Sequence, residues 1–309
     1  MKNKILKIFI FVGFIFVIFA YLKYDNAGNN AMIFYKIRIP RLILALTTGM
    51  ILASIGNVYQ YLLNNPLAEP YILGISSGAA LGSTIASITG YFLLMPIFGF
   101  VGALITMFAV WALAHVSGYF DKTKLLLSGI IIGMFNSSVL SLLMYLNQKD
   151  IGSIFNILMG NLGRIFSRNE WYIFLGVTFL NIILLIYLYF ESSKLDALST
   201  GDVSAFSLGI DIKKLRIKIF VITSLMIGLT VSFTGIIGFI GLIIPHMARM
   251  IFGNGIRKTF LFSLLLGGMI LLICDFISMH LTIIEIPIGV VTSFLGSPFF
   301  IYIMIKNKN

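Results

Sequence analysis

Few residues in this chain could carry out chemistry, and they lie far apart in the sequence. Its three histidines, His115, His246 and His280, stand on different segments, without cysteine or carboxylate neighbours at the spacing of metal ligands. The stretch 253–259 has the composition of a phosphate loop, but Arg257 occupies the position where a Walker A loop needs glycine. The HExxH and CxxC patterns do not occur. We therefore expect neither a metal site nor a catalytic centre.

Two charged features stand out against an apolar background. Asp275 lies inside an apolar run, where an ionisable residue indicates either a proton relay or a structural hydrogen bond between helices. The sequence Arg38-Ile39-Pro40-Arg41 opens another apolar run, and its proline suits the start of a helix. The two arginines either reach towards lipid phosphates or pair with carboxylates of an external partner, for which the planar guanidinium is suited.

The elements that carry these residues are transmembrane helices. Of the 309 residues, 59% are hydrophobic and 11% are charged, whereas soluble domains carry about 25% charged residues. The apolar runs are continuous rather than alternating, which favours helices over a β-barrel. We predict an all-α polytopic membrane protein with ten spans at about 5–22, 42–62, 72–92, 97–114, 125–146, 171–190, 216–234, 236–252, 260–280 and 287–305.

The distribution of basic residues predicts the orientation of these spans. Fifteen of the 22 lysines and arginines lie on the side that includes the N-terminus, which places both termini in the cytoplasm. We attribute the net charge of +11 to this topology and not to nucleic-acid binding. Four of the other seven basic residues lie between positions 23 and 41, so an external role is expected there.

Two stretches contain residues that are unusual in a plain transmembrane helix. Between the second and third spans, Pro66 and Pro70 forbid one continuous helix, and Gly74 and Gly78 follow at a spacing that suits close helix packing. The second stretch, 235–249, combines small residues with a proline and two ionisable side chains, at Gly238, Gly241, Pro245, His246 and Arg249. A plain anchoring helix needs none of these residues.

Two polar segments suggest further contacts. The fifth span carries Asn136, Ser137, Ser138 and Ser141, and such a cluster faces protein or water rather than lipid. The cytoplasmic loop at about 191–215 predicts a short helix that Asp202 caps and Gly209 ends, with Val203, Phe206 and Ile210 on one face. Such a helix rests on lipid headgroups or packs into a groove of a partner.

Taken in order, these motifs resemble the permease subunits of ABC importers for iron-siderophores, haem and cobalamin. The matching patterns run from Arg38 to Phe300: Arg-x-Pro-Arg, Asn-Pro-Leu-Ala-Glu-Pro, Leu-Gly-Ile-Ser-Ser-Gly-Ala, Gly-x-x-Gly-Phe-x-Gly-Leu-x-x-Pro-His-x-x-Arg, and a tail with Pro287 and Pro298. The resemblance implies a type II importer fold with short broken helices and an inverted repeat of spans 2–5 and 7–10. It also implies a single permease domain over residues 1–309 in the bacterial cytoplasmic membrane.

The same resemblance implies roles for particular residues. It assigns docking of a substrate-binding protein to Arg38 and Arg41, and a pathway lining to the polar cluster of the fifth span. It assigns coupling to the ATPase to Leu198, Gly201, Asp202, Ala205, Leu208 and Gly209. It assigns structural roles to Pro66, Pro70, Gly74, Gly78, Gly238, Gly241, Pro245, His246, Arg249, Asp275, Pro287 and Pro298. His280 stands near the place where the family commonly has a further arginine.

The partners that the resemblance implies are cytoplasmic ATPase subunits, an extracytoplasmic substrate-binding protein and a second permease copy, identical or not, within membrane lipid. ATP binds to the partner, and we expect this chain to bind no cofactor, metal or nucleic acid. Three alternatives stay open: a zinc or manganese ABC permease, a proton-coupled secondary transporter that uses Asp275, and a membrane-embedded hydrolase, for which the sequence offers no convincing pair of nucleophile and base.

Overall fold

The computed structural model describes residues 2–23, 31–116 and 120–306, and within these ranges the chain forms helices and no strands. Twelve helices follow one another as α1 (Lys2–Lys23), α2 (Ile39–Leu63), α3 (Ile75–Ile88), α4 (Met95–Ala114), α5 (Lys122–Leu146), α6 (Ile151–Met159), α7 (Arg168–Ser199), α8 (Asp202–Ser207), α9 (Ile212–Thr234), α10 (Ile240–Phe252), α11 (Ile256–His280) and α12 (Ile288–Lys306). A helical turn, Ala31–Ile33, and a π-helical turn, Phe34–Arg38, lead directly into α2.

The predicted all-helical fold is confirmed, because each predicted span coincides with one of these helices. Six helices, α2, α4, α5, α7, α9 and α11, are long and apolar enough to cross a membrane. The predicted span 72–92 is too long, since the irregular segment after α2 continues to Gly74 and leaves α3 only 14 residues. In contrast, α7 reaches Ser199, nine residues beyond its predicted end, because no glycine or proline stops it earlier.

Two sets of four helices, α2–α5 and α9–α12, share one pattern, in which the second helix is short and the other three are long. Each set begins with a long helix, and a break then separates it from a short helix, α3 or α10. The long first helix of each set packs against the second and third helices of the other set: α2 against α10 and α11, and α9 against α3 and α4. This reciprocal packing agrees with the predicted inverted repeat.

Glycine pairs bring the two sets into backbone contact. A Cβ atom built on Gly49 of α2 would lie 2.2 Å from the carbonyl oxygen of Gly267 in α11. In the other half, a Cβ atom on Gly99 of α4 would lie 2.8 Å from the carbonyl oxygen of Gly228 in α9. No side chain fits at either crossing, so small residues set the distance between these helices, as in other membrane bundles.

The outer helices present apolar side chains away from the bundle. In α7, Phe179, Ile183, Ile186 and Phe190 are exposed, and in α1 a similar row includes Phe11 and Phe16. Exposed apolar surfaces of this extent are expected where a helix faces lipid. The contacts between the two helix sets therefore form the centre of the molecule, and α1 and α7 lie at its edge.

Candidate functional site

The helical structure is interrupted between α9 and α10, at the start of the stretch 235–249. The helix α9 ends at Thr234, and α10 begins at Ile240 after Phe239, which has a left-handed backbone with φ of 68°. No side chain of its own segment caps this helix start. Instead the backbone amides of Phe239 and Leu242 donate to the carboxyl group of Glu69, which is only 3% exposed. A buried carboxylate thus satisfies the amides of the half-helix.

A second polar residue of the first half holds the same helix. The Nε2 atom of Gln60 in α2 donates to the carbonyl oxygens of Gly241 and Leu242, at 3.2 Å each. Its Oε1 atom accepts from Nη2 of Arg249 at 2.5 Å. Gln60 and Glu69 were not singled out from the sequence, although a polar side chain within an apolar run is itself a signal of a partner.

A cavity of about 680 Å³ lies beside this break. Tyr71, from the segment before α3, and Phe239 contribute aromatic rings, while Ser137, Ser293 and Ser297 contribute hydroxyl groups. The remaining lining is apolar or glycine and comes from α6, α12 and the break: Leu158, Met159, Ile236, Gly238, Gly289, Val290, Phe294 and Pro298. None of the lining residues carries a charge, so the cavity suits a bulky ligand that it contacts weakly.

Of the predicted pathway residues, only Ser137 lines this cavity. Asn136 is 5% exposed and donates to Ser77 Oγ at 3.2 Å and to Thr106 Oγ1 at 3.1 Å, so it ties α5 to α3 and α4. Ser138 and Ser141 are exposed on the outside of α5, each bonded to a carbonyl oxygen of its own helix. The polar cluster is therefore divided among three faces of one helix.

Asp275 belongs to a buried cluster at the opposite end of α2. It accepts hydrogen bonds from Nε and Nη2 of Arg41, the latter at 2.9 Å, and from the hydroxyl of Tyr21 at 2.6 Å. A further pair joins Arg41 Nη1 to the carboxylate of Glu285 at 2.9 Å. These bonds cross helices, as the structural interpretation of Asp275 expects, and the cluster connects α1, α2 and α11.

The position of Arg41 disagrees with the docking role that the motif predicts. The residue is 4% exposed, and the N–H groups of its guanidinium are bonded to Asp275 and Glu285. An arginine that receives an external carboxylate needs an accessible fork, which Arg41 lacks in this arrangement. The docking prediction remains for Arg38, which is partly exposed and donates to the carbonyl oxygen of Leu22 at 3.1 Å.

The predicted cytoplasmic helix is present as α8, with different caps. Gly201, not Asp202, is the N-cap residue, and Asp202 pairs with Nη2 of Arg216 at 2.9 Å. Lys122 Nζ lies 3.8 Å from the same carboxylate, and the guanidinium of Arg216 stacks over Phe120. The α8 helix is therefore attached to the starts of α5 and α9.

The predicted coupling residues divide into a buried and an exposed set. Leu198 and Ala205 are at most 1% exposed and pack inward, whereas Leu208 is 69% exposed. Val203 and Phe206 are 81% and 75% exposed, and Gly209 follows the helix with φ of 77°. Ile210 packs against the core and does not share their face. The apolar surface open to a partner thus consists of Val203, Phe206 and Leu208.

The remaining motif residues lie partly at helix breaks and partly inside helices. Pro66, Pro70 and Gly74 lie in the irregular segment before α3, Gly78 within α3, Pro245 and Pro298 inside helices, and Pro287 just before α12. Residues 74–78 also match the GxSxG pattern of hydrolases. However, no strand precedes them in the described chain, and Ser76 is 1% exposed, so they do not form a nucleophile elbow.

A model of the FecCD transport family matches residues 5–306. The chain belongs to the FecCD transport family. Among its relatives is a protein of Helicobacter pylori strain J99, named as an iron chelatin transport system permease protein, which is 35% identical over 93% of this chain and 87% of its own length. A vitamin B12 import system permease protein of Pectobacterium atrosepticum is 34% identical over 89% of this chain and 82% of its own length.

Two further comparisons agree with this membership. The hemin transport system permease protein of Yersinia pestis is 31% identical and covers 92% of this chain and 87% of its own length. A solved structure described as a metal-chelate type ABC transporter in an inward-facing conformation superposes with a TM-score of 0.86 at 27% identity, covering 99% of this chain and 100% of that one. FecCD membership makes this chain an ABC importer permease, and these relatives do not support the zinc or manganese alternative.

Proposed function

We propose that this chain forms the path by which an iron chelate, haem or a cobalamin-like ligand enters the cytoplasm. The observation that supports this proposal best is the uncharged cavity beside the break at Phe239. A bare metal cation is typically held by carboxylate, imidazole or thiolate groups, and none of the lining residues carries one of these. An intact organic chelate needs an apolar wall with a few hydroxyl contacts, and the cavity has that composition.

Energy comes from a separate ATPase subunit in this proposal. The chain would be one permease domain over residues 1–309 and would hydrolyse no ATP itself, since ATP and its cofactors bind to the partner. Three exposed apolar side chains, Val203, Phe206 and Leu208, support a cytoplasmic docking face. Asp202 and Arg216 would pass movement of this face to α5 and α9 through their ion pair.

The other partners follow from the same arrangement. A second permease copy would cover the exposed apolar surfaces of α5 and α12, on which Ile131, Met134, Phe135 and Phe294 stand. A substrate-binding protein would dock on the opposite side of the membrane, near Arg38. Both termini would lie in the cytoplasm of a bacterial cell, because the side that carries α8 also carries most of the basic residues.

Co-purification from the native membrane tests this proposal directly. We expect an ATPase with a Walker A loop to remain bound in mild detergent, and Phe206→Ser to reduce its yield at least tenfold. Ile283→Ser is the control, because Ile283 is also a highly exposed apolar residue but lies on the proposed outer face, and it should leave the ATPase in place.

Two outcomes would overturn the proposal. The first is a chain that carries no ATPase in several detergents and still transports ligand in vesicles on a proton gradient alone. The second is an equal loss of the ATPase in both variants. That result would show that changing any exposed apolar residue alters the behaviour of the protein in detergent, and that Phe206 makes no specific contact with the ATPase. In the first case Asp275→Asn should abolish transport, as expected of a proton-coupled carrier.

A further inference from the structure

Two adjacent basic residues occupy the first turn of α11. Arg257 and Lys258 are exposed, and the N-cap residue of this helix, Gly255, offers no side chain to its amides. The N-terminus of a helix carries partial positive charge, so cations are disfavoured there and an anion is favoured. This helix start therefore combines three positive contributions on the cytoplasmic side of the bundle.

The start of α9 provides an internal comparison. It also carries two basic residues in its first turn, Lys213 and Lys214, but its N-cap is Asp211. The Asp211 carboxylate accepts from the amide of Lys214 at 3.0 Å and pairs with the ammonium group of Lys214 at 3.1 Å. At α9 the chain itself supplies the anion that the helix start requires.

At α11 the arrangement differs, because the carboxylate comes from another helix and leaves the two basic side chains unpaired. Asp196 of α7 accepts from the amide of Ile256 at 3.0 Å, but among the described residues no ion pair joins a carboxylate to Arg257 or Lys258. Lys194 and Lys218, nearby on the same side, both pair with Glu191. The two cations of α11 are thus free to bind an anion from outside the chain.

An apolar cleft of about 580 Å³ opens directly beside these two cations. One wall is α11, with Leu261, Phe262, Leu264 and Leu265, and the others are Phe11 of α1 and Tyr189 of α7. Phe11 and Leu261 are exposed, and the adjoining surface of α7 carries exposed Ile186 and Phe190. The cleft therefore opens toward the hydrocarbon of the bilayer, and its cationic end lies at the membrane surface.

We propose that this cleft binds one anionic phospholipid. The phosphate group lies between Arg257 and Lys258 at the positive end of α11, and one acyl chain fills the groove between α1, α7 and α11. Basic residues beside an apolar groove at the cytoplasmic surface have the chemistry that recognises such lipids. The inference requires only that the chain lies in a bilayer, and it stands or falls separately from the transported ligand.

Native mass spectrometry of the full chain tests the proposal. The protein is purified in mild detergent and exchanged into mixtures of phosphatidylglycerol and phosphatidylcholine. The variant Arg257→Gln/Lys258→Gln is compared with Lys213→Gln/Lys214→Gln, which removes the same charge from the same turn of α9. Each basic residue near an anionic lipid raises the binding affinity by a factor of about five. The first variant, which removes two of them, should therefore lose roughly 30-fold in its preference for phosphatidylglycerol. The second variant should match the wild type.

A third variant separates the groove from the headgroup site. Leu261→Trp fills the groove and should reduce retention of both lipids, while the glutamine variant loses only the preference for phosphatidylglycerol. Equal losses in the α9 and α11 variants would overturn the proposal in favour of a diffuse surface charge. Unchanged lipid retention with loss of a co-purifying protein in the α11 variant would also overturn it, and would assign the two cations to a protein partner.

Discussion

The short helices α3 and α10 are each preceded by a residue with a left-handed backbone, but the type of that residue differs. Each is entered through a left-handed backbone, at Gly74 with φ of 74° and at Phe239 with φ of 68°. Glycine adopts this conformation without penalty, whereas a bulky side chain is strained there by roughly 1–2 kcal/mol. The first half therefore uses the residue that the turn requires, and the second half accepts strain.

The surroundings of the two turns show what the strain achieves. A Cβ atom on Gly74 would lie 2.8 Å from the carbonyl oxygen of Gly129 in α5, so the first entrance is packed against a neighbouring backbone. The second entrance borders the cavity instead: Phe239 is one of its lining residues and also packs against Gly296 of α12. Strained residues collect at functional sites. The comparison indicates that the first break is a packing element, whereas the second carries a side chain that lines the cavity of the proposed pathway.

The largest effect is expected for Gly74→Ala. This change adds the left-handed strain and places a methyl group against the Gly129 backbone, so the free energy of unfolding should fall by about 3 kcal/mol or more. Thermal melting in detergent measures the loss. Gly90→Ala is the control, because Gly90 has φ of 81° but no neighbouring atom within 4 Å of a built Cβ. Equal losses in the two variants would show that the packing against α5 does not matter.

A smaller loss is expected for Glu69→Gln. The carboxylate of Glu69 accepts from two amides at the start of α10, while a glutamine oxygen keeps one good acceptor and directs an NH₂ group at the other donor. Replacement of this buried acceptor at a helix N-terminus should reduce stability by about 1–2 kcal/mol. Hydrogen exchange of the α10 amides should accelerate, while that of α3 should not. Equal acceleration in both helices would mean that Glu69 does not act locally.

The variant Phe239→Gly should change transport more than stability. It releases roughly 1 kcal/mol of backbone strain, which offsets part of the packing lost with a half-buried ring. We expect melting to remain within about 1 kcal/mol of the wild type and ATP-driven uptake into vesicles to fall several-fold. Phe239→Ala keeps the strain and removes the ring, so it should melt lower than Phe239→Gly.

A large loss of stability without a loss of uptake would contradict the assignment of Phe239 to the pathway. A loss of about 3 kcal/mol or more in Phe239→Gly, with unchanged uptake per folded molecule, is the behaviour of a core phenylalanine. Phe239 would then be a packing residue, and the two helix entrances would differ only in which residue packs there.

Sequence patterns predicted the first break because its cause is local: Pro66 and Pro70 interrupt a helix wherever they occur. The small residues from Gly235 onward lower helix propensity, but the predicted spans 216–234 and 236–252 leave only Gly235 between them, whereas α10 begins at Ile240. The partners of these breaks were not predictable in the same way. Glu69 meets Phe239 across 170 positions of sequence, and periodicity does not report which buried polar groups meet.

The two arginines before α2 show a related limit. The motif predicts that Arg38 and Arg41 share a docking role, yet only the fold brings Asp275 and Glu285 against Arg41. A helix places residues three positions apart near one another, but it does not reveal whether that face meets a buried carboxylate. Likewise, a left-handed phenylalanine has no sequence signature, since turn signals are read from glycine and asparagine.

The smallest effect is expected for Asp211→Asn, which repeats the Glu69 change at an exposed helix start. The backbone amide of Lys214 lowers the pKa of the Asp211 carboxyl, so its contribution to stability is present above the ordinary pKa of aspartate and is lost as the pH falls. Asparagine caps a helix about as well as aspartate, and water screens the exposed pair with Lys214. At neutral pH the variant should therefore melt with the wild type. A loss as large as that of Glu69→Gln would show that burial at α10 contributes nothing, and that any carboxylate at a helix start has the same effect.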